Sequence, residues 1–155
     1  MTPTDGPVVF AYDGSEYAKA AIREAAHQLG GHRHGIVLTI WQPLGAGPLA
    51  GAATIAAPEL EEDLEREARD LAGEGARIAR QAGFDAVPVA WRADPVWRGI
   101  VDFADDHDAG IVVLGSHGRT GLGRAVMGSV AETVARHSER PVLIVNAHTA
   151  DRAAA

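Results

Sequence analysis

Ile111-Val112-Val113-Leu114-Gly115-Ser116-His117-Gly118 is the stretch on which the fold of this chain turns. Four apolar residues follow one another without alternation, and the run stops at a glycine. A strand that is apolar on both sides is buried on both faces, which is the state of a strand inside a parallel sheet covered by helices. Gly115 to Gly118 is then the point where the chain leaves the sheet. In open α/β sheets, ligands settle outside the carboxyl ends of the strands, where the strand order reverses.

The flanking sequence repeats the strand–helix alternation. Pro7–Tyr12 reads as a first strand that stops at the turn Asp13-Gly14-Ser15. Ser15 is placed to cap a helix with apolar positions Ala18, Ile22, Ala25, Ala26 and Leu29, closed by Gly30-Gly31. Gly35–Trp41 is a second strand. Gln42–Pro58 is rich in Gly, Ala and Pro without a period and reads as a long mobile loop, a type often used as a lid. A long helix follows, with the apolar face Leu60, Leu64, Ala68, Leu71 and Ile78, and with Glu62–Arg66 and Glu65–Arg69 at pairing distance; Gly83 ends it. Ala86–Trp91 is a third strand, marked as an edge by Pro88. Asp94-Pro95 reads as the cap and first-turn proline of a helix that carries Trp97, Ile100, Val101 and Ala104 inward and ends near Gly110. Ser129–His137 is a last helix and Pro141–Val145 a fifth strand, while Thr149–Ala155 reads as a disordered tail. The pattern predicts one domain over residues 1–155: an open α/β fold, a five-stranded parallel sheet with helices on both faces.

Composition excludes several functions. Lys and Arg number 14 against 21 Asp and Glu, a net charge of −7, which argues against nucleic acid and against a polybasic membrane anchor. The single lysine, Lys19, lies in Tyr17-Ala18-Lys19-Ala20, so no G-x-x-x-x-G-K-[ST] phosphate loop exists. The absence of cysteine removes disulfides, thiolate catalysis and Cys-based zinc sites. No basic-then-apolar leader and no run of 18 apolar residues is visible, which points to the cytoplasm. Asp105-Asp106-His107-Asp108 reads as a solvated helix end, so no metal site is expected. Trp41, Trp91 and Trp97 read as packing residues.

The chemistry concentrates after the fourth strand. Glycines recur from Gly115 to Gly128, where they permit positive φ and close approach of backbone N–H groups to a ligand. Ser129-Val130-Ala131-Glu132 has the form of a capping box, so Gly128-Ser129 would start a helix whose free N–H groups favour an anion. Arg119 and Arg124 add positive charge. The residues describe a phosphate cradle made of backbone.

Gly115-x2-Gly118-x9-Gly128-Ser129 resembles the G-x2-G-x9-G-[ST] nucleotide motif of the universal stress proteins. Val8–Ser15, Ala93-Asp94-Pro95, Ile111–Gly118 and Arg140–Val145 are similar to segments of that family, and the resemblance spans about residues 7–147. Ala93 departs from it, where many members carry Gly. The resemblance implies a Rossmann-like, adenine nucleotide alpha hydrolase-like fold with strand order 3-2-1-4-5, and the ATP-binding branch of the family. It implies that Ala11, Tyr12, Asp13 and Ser15 meet the adenosine part and that Ile40 meets adenine. Leu114, Gly115, His117, Gly118, Gly128, Ser129 and Val130 would take the phosphates and ribose, with Mg²⁺ accompanying ATP. It further implies a homodimer through Pro141, Val142, Leu143, Ile144 and Val145, an apolar edge strand open to pairing. The function implied is a stress-response or signalling protein whose nucleotide-dependent conformation is read by an unknown downstream protein. No residue stands out as a general base, so catalytic residues are unassigned and any ATP hydrolysis would be slow. A slow ATPase or nucleotidyl-transfer enzyme on the same fold, and a dimeric interaction module with a vestigial pocket, are the alternatives.

Overall fold

A computed structural model describes residues 5–45, 57–119 and 127–146. Its elements are β1 (Val8–Ala11), α1 (Glu16–Leu29), β2 (His34–Trp41), α2 (Ala57–Gln81), β3 (Asp85–Arg92), α3 (Val96–Asp106), β4 (Ile111–Gly115), α4 (Ser129–His137) and β5 (Val142–Val145). All strand pairs are parallel and the order is β3-β2-β1-β4-β5, the fold class and order expected. The chain goes outward from β1 to β2 and β3, then crosses to the other side of β1 for β4 and β5. This reversal sets the exits of β1 and β4 side by side, with Val9 between Ile36 and Val112. Pro88 lies in β3, at the sheet edge.

Alternate residues of the strands feed two cores. Val8, Phe10 and Tyr12 pack with α1 and α2 on one face; Val9, Ile36, Leu38, Val112 and Leu114 pack with α3 and α4 on the other. Val112 and Val113 are both fully buried, as a run without alternation requires.

The buried face of α2 is not the leucine face. Ala68, Ala72, Ala76 and Ala79 form the buried stripe, whereas Leu60 is 46% exposed and Leu64, Leu71 and Ile78 are half-buried. The reason is the closeness of approach: a Cβ on Gly75 would stand 2.7 Å from Val37 Cγ1 and 2.9 Å from the Tyr12 ring. Only small residues fit between the helix and the sheet there, so the larger apolar ones flank the contact. Arg69 pairs with Glu65 as expected, but Arg66 pairs with Asp63 at 2.7 Å rather than with Glu62.

Three helix ends differ from the sequence reading. Pro95 itself takes the N-cap position of α3, and Asp94 instead accepts a hydrogen bond from Gln42 Nε2 at 2.6 Å. The N-cap of α4 is Gly128, with no side-chain cap; Ser129 is the first helical residue and Glu132 pairs with Arg136, so the capping box is not formed. The α3 end is not merely solvated: Asp105 and Asp108 hold Arg140 at 2.9 and 3.5 Å, which pins the entry to β5. Ser15 caps α1 as expected, its Oγ accepting from Ala18 N at 3.1 Å. Most of the Gln42–Pro58 loop, the Thr149–Ala155 tail and Arg124 lie outside the described residues.

Candidate functional site

The exit of β1 is shaped by short-range bonds. Asp13 Oδ1 accepts from Ser15 N at 2.9 Å, which folds the turn. Gly14 takes φ 81°, and a Cβ there would also come within 2.9 Å of Leu71 Cδ2. Tyr12 is anchored at three points. Its N–H donates to Leu38 O, its carbonyl accepts from Thr39 Oγ1, and its hydroxyl donates to Glu74 Oε1 at 2.6 Å. Burial, and then the Glu74 hydrogen bond and charge, push the Tyr12 phenol well above its ordinary value. The same hydrogen bond, helped by Lys19, holds the Glu74 carboxyl below its ordinary value against the opposing pull of desolvation. Lys19 spans Glu16 at 3.3 Å and Glu74 at 3.4 Å, so the single lysine ties α1 to α2.

The exit of β4 turns back on itself. Ser116 and His117 are buried, Ser116 Oγ and His117 Nδ1 share a hydrogen bond at 2.9 Å, and the His117 ring lies 5.1 Å from that of Tyr17. Gly128 N donates to Ser116 O at 2.7 Å, which brings the start of α4 back to the strand exit. The first bond closing α4 runs from Glu132 N to Gly128 O. By helix geometry the N–H groups of Ser129, Val130 and Ala131 therefore have no acceptor within α4.

Close approach, rather than unusual backbone angles, explains the motif glycines. None of Gly115, Gly118 and Gly128 has a positive φ, contrary to part of the sequence reading. A Cβ on Gly115 would stand 2.7 Å from Tyr17 Cβ, one on Gly118 2.9 Å from Asp13 Oδ2, and one on Gly128 2.9 Å from Ser116 O. Arg119 closes the circle. Its Nε donates to Asp13 O at 2.7 Å and bridges the two strand exits.

These pieces surround a cavity of about 330 Å³. Its wall includes Ala11, Tyr12, Asp13, Ile40, Leu114, Gly115, His117, Gly118, Arg119, Gly128, Ser129 and Val130. Ser15 is the one candidate not brought to it, because its hydroxyl is spent on capping α1. Sequence reasoning missed Ala18, Leu38, Thr39, Leu71, Val96, Ile100, Ser116 and Ala131. Thr39 and Ser116 carried a signal, being polar residues beside strand ends. Leu71, Val96 and Ile100 carried none, since their helices reach the cavity only through tertiary packing. The β2 side of the cavity is apolar, with Leu38 and Ile40 near Val96 and Ile100. The β4 side offers N–H donors and Arg119, and Asp13 is the one acidic side chain in the described wall. Among the described residues, no group of three His, Cys, Asp or Glu is placed to hold a metal ion.

The profile of the universal stress protein family matches residues 6–146. The chain belongs to this family. Universal stress protein Sll1388 of Synechocystis is 31% identical over 150 residues, covering 90% of this chain and 97% of that protein. The structure of MJ0577, a universal stress protein of Methanocaldococcus jannaschii, superposes with a TM-score of 0.75 at 26% identity, covering 92% of this chain and 96% of that one. The universal stress protein of Archaeoglobus fulgidus, solved in complex with dAMP, shares the fold with a TM-score of 0.61 at 24% identity, covering 92% of this chain and 99% of that one. Among the described residues, no helix of this universal stress protein is long and apolar enough to cross a membrane.

Proposed function

We propose that this universal stress protein binds an adenine nucleotide, ATP with Mg²⁺ in particular, and acts in the cytoplasm as a stress-response or signalling protein. The observation that carries this reading is the meeting of the β1 exit, the β4 exit and the α4 start around one cavity, with donors on one side and an apolar wall on the other. The cavity volume lies in the range of small-molecule sites. Phosphates fit against Ser129 and Val130 N–H and Arg119, where the helix dipole favours an anion. The base fits against Ile40 and Val96. The Archaeoglobus fulgidus relative in complex with dAMP supports the ligand class.

Asp13 suits a phosphate-bound Mg²⁺. Its Oδ1 is committed to Ser15 N, which leaves the rest of the carboxylate beside Gly118, and Mg²⁺ is commonly held by one or two carboxylates plus substrate phosphates. The ion would offset phosphate charge beside that carboxylate. His117 is buried and hydrogen-bonded to Ser116 through Nδ1, and this reading gives it a ligand-contact role. Occupancy would shift the population of states that a partner meets. The free edge of β5 supplies the contact for a homodimer. Isothermal titration with Mg-ATP tests the reading. Binding is expected in the wild type and strong weakening in Gly118→Ala/Gly128→Ala; no binding, or unchanged binding in the double variant, overturns it.

A further inference from the structure

The ladder between β1 and β2 ends on a side chain. Tyr12 N–H donates to Leu38 O at 2.9 Å, and Ala93 N–H donates to Trp41 O at 3.1 Å. Backbone groups alternate sides along a strand, so the even residues of β2 face β1 and the odd ones face β3. The next rung toward β1 would run from Ile40 N–H to Tyr12 O. It is not formed. Tyr12 O instead accepts from Thr39 Oγ1 at 2.9 Å, in a bond from a residue that is 5% exposed. β1 has ended at Ala11, so the N–H and C=O of Ile40 face the gap beyond it, where Ala11, Tyr12, Thr39 and Ile40 all line the cavity. Among the described residues, neither group has a backbone partner across that gap.

We propose that Thr39 is a positioning residue for base selection: by occupying Tyr12 O it leaves the Ile40 backbone to read the base, so the site takes 6-aminopurine nucleotides in preference to 6-oxopurine ones. The proposal rests on the nucleotide reading above. Adenine carries an acceptor at ring nitrogen 1 and a donor at its 6-amino group, side by side. Ile40 presents the complementary pair, a donor and an acceptor on one side of the strand. Hypoxanthine and guanine carry the reverse pair, a donor on the ring nitrogen and an acceptor at the 6-oxygen. They would set donor against donor and acceptor against acceptor, and such mispaired buried groups cost affinity. Without the Thr39 hydroxyl, Tyr12 O loses its side-chain donor. Ile40 N–H is the group that the ladder offers in its place. The ladder would then lengthen by one rung and withdraw the donor from the base.

The test compares ATP with inosine triphosphate by isothermal titration on the full chain. The wild type is expected to bind ATP at least about tenfold tighter. Thr39→Val keeps the shape of the side chain and removes the hydroxyl, so it should bring the ratio of the two affinities close to one. Thr39→Ser keeps the hydroxyl and should retain the ratio. A threonine that only packs would, when replaced by valine, weaken both ligands together and leave their ratio unchanged. Thr39→Ala serves if the valine variant does not fold, and the preference of the wild type is a test that needs no variant. If ATP binds but inosine triphosphate binds the wild type as tightly, the proposal is wrong while the nucleotide reading stands. The same holds if the ratio survives loss of the hydroxyl or is lost in Thr39→Ser. If neither compound binds, both readings fall.

Discussion

Gly115→Ala and Gly118→Ala add the same methyl group to one loop, yet they are expected to do opposite things. At Gly115 the new Cβ would stand 2.7 Å from Tyr17 Cβ and 2.9 Å from the Tyr17 carbonyl carbon. That neighbour is helix backbone, and it yields only if α1 moves off β4. Overpacking of this sort costs about 1–3 kcal/mol. Neither glycine has a positive φ, so alanine also restricts the unfolded chain, a gain of about 0.4–1 kcal/mol. The net loss at Gly115 is about 1–2 kcal/mol, which lowers Tm by about 2–8 °C in a domain of this size. At Gly118, among the described residues, the only atom within 4 Å of the new Cβ is Asp13 Oδ2, at 2.9 Å, and a carboxylate end can swing aside. Gly118→Ala should therefore hold or slightly raise Tm while narrowing the cavity and displacing Asp13, with ATP binding about tenfold weaker, or about 1.4 kcal/mol. Differential scanning fluorimetry without ligand and isothermal titration with Mg-ATP, at a temperature where both variants are folded, separate the two effects. Equal losses of Tm in the two variants, or an unchanged Tm in Gly115→Ala, would refute the argument from close approach.

Three further outcomes follow from the same geometry. Tyr12→Phe removes the hydroxyl that Glu74 accepts, at a cost of about 1–2 kcal/mol near neutral pH. Glu74 is held below 4.5 in the folded state, so its contribution is present above that value and lost as pH falls. Urea titrations from about pH 5 to pH 3 should show a shallower loss of stability in Tyr12→Phe than in the wild type; equal slopes contradict the linkage. On the alkaline side the raised Tyr12 phenol makes wild-type stability decline once pH passes the ordinary tyrosine value of 10.0, and the variant should lack that part of the decline. Arg119→Ala removes the bridge to Asp13 O and a cation at the cavity mouth, so ATP should bind about tenfold more weakly and with a smaller salt dependence, with adenosine little changed; equal losses for both ligands count against a phosphate role. Leu143→Asp on the edge strand β5, where Leu143 also packs partly against the core beside α1, should convert a dimer to a monomer in light scattering below its lowered Tm; a monomeric wild type sinks the dimer.

The sheet was legible because its signals are local. Ile111–Leu114 announces burial on both faces, Asp13-Gly14-Ser15 announces a turn and a cap, and Pro88 announces an edge. The helical face of α2 was misread for a physical reason. Hydrophobic periodicity ranks Leu above Ala, whereas a helix drawn close to a sheet buries its smallest residues. Gly75 was the overlooked sign, since its hydrogen faces the ring of Tyr12. The α4 cap was misread because a Ser followed three residues later by Glu permits a capping box but does not ensure one; the chain enters one residue out of phase, with Gly128 at the N-cap. At the cavity, the sequence names residues at strand ends and on the glycine loop. It is silent about Leu71, Val96 and Ile100, whose place depends on how α2 and α3 lie across the sheet.

Net charge and cavity charge have different origins here. The chain carries −7 overall and one lysine, and that lysine is engaged by Glu16 and Glu74. The donors at the cavity are instead Arg119 and the first N–H groups of α4, and the latter every helix exposes at its start whatever its composition. A helix start acts as roughly half a positive charge, and its effect falls off within the first turn. Composition therefore argues against ligands that need an extended basic surface, but it does not bear on a small anion held at one helix start. What decides that case is whether the chain brings the helix start to a strand exit, and here the backbone bond from Gly128 N to Ser116 O at 2.7 Å and the burial of Ala131 and Val134 against the sheet do so. A Cβ on Gly128 would press on that same oxygen. The glycine at this point in the motif therefore follows from the approach of α4 to the sheet.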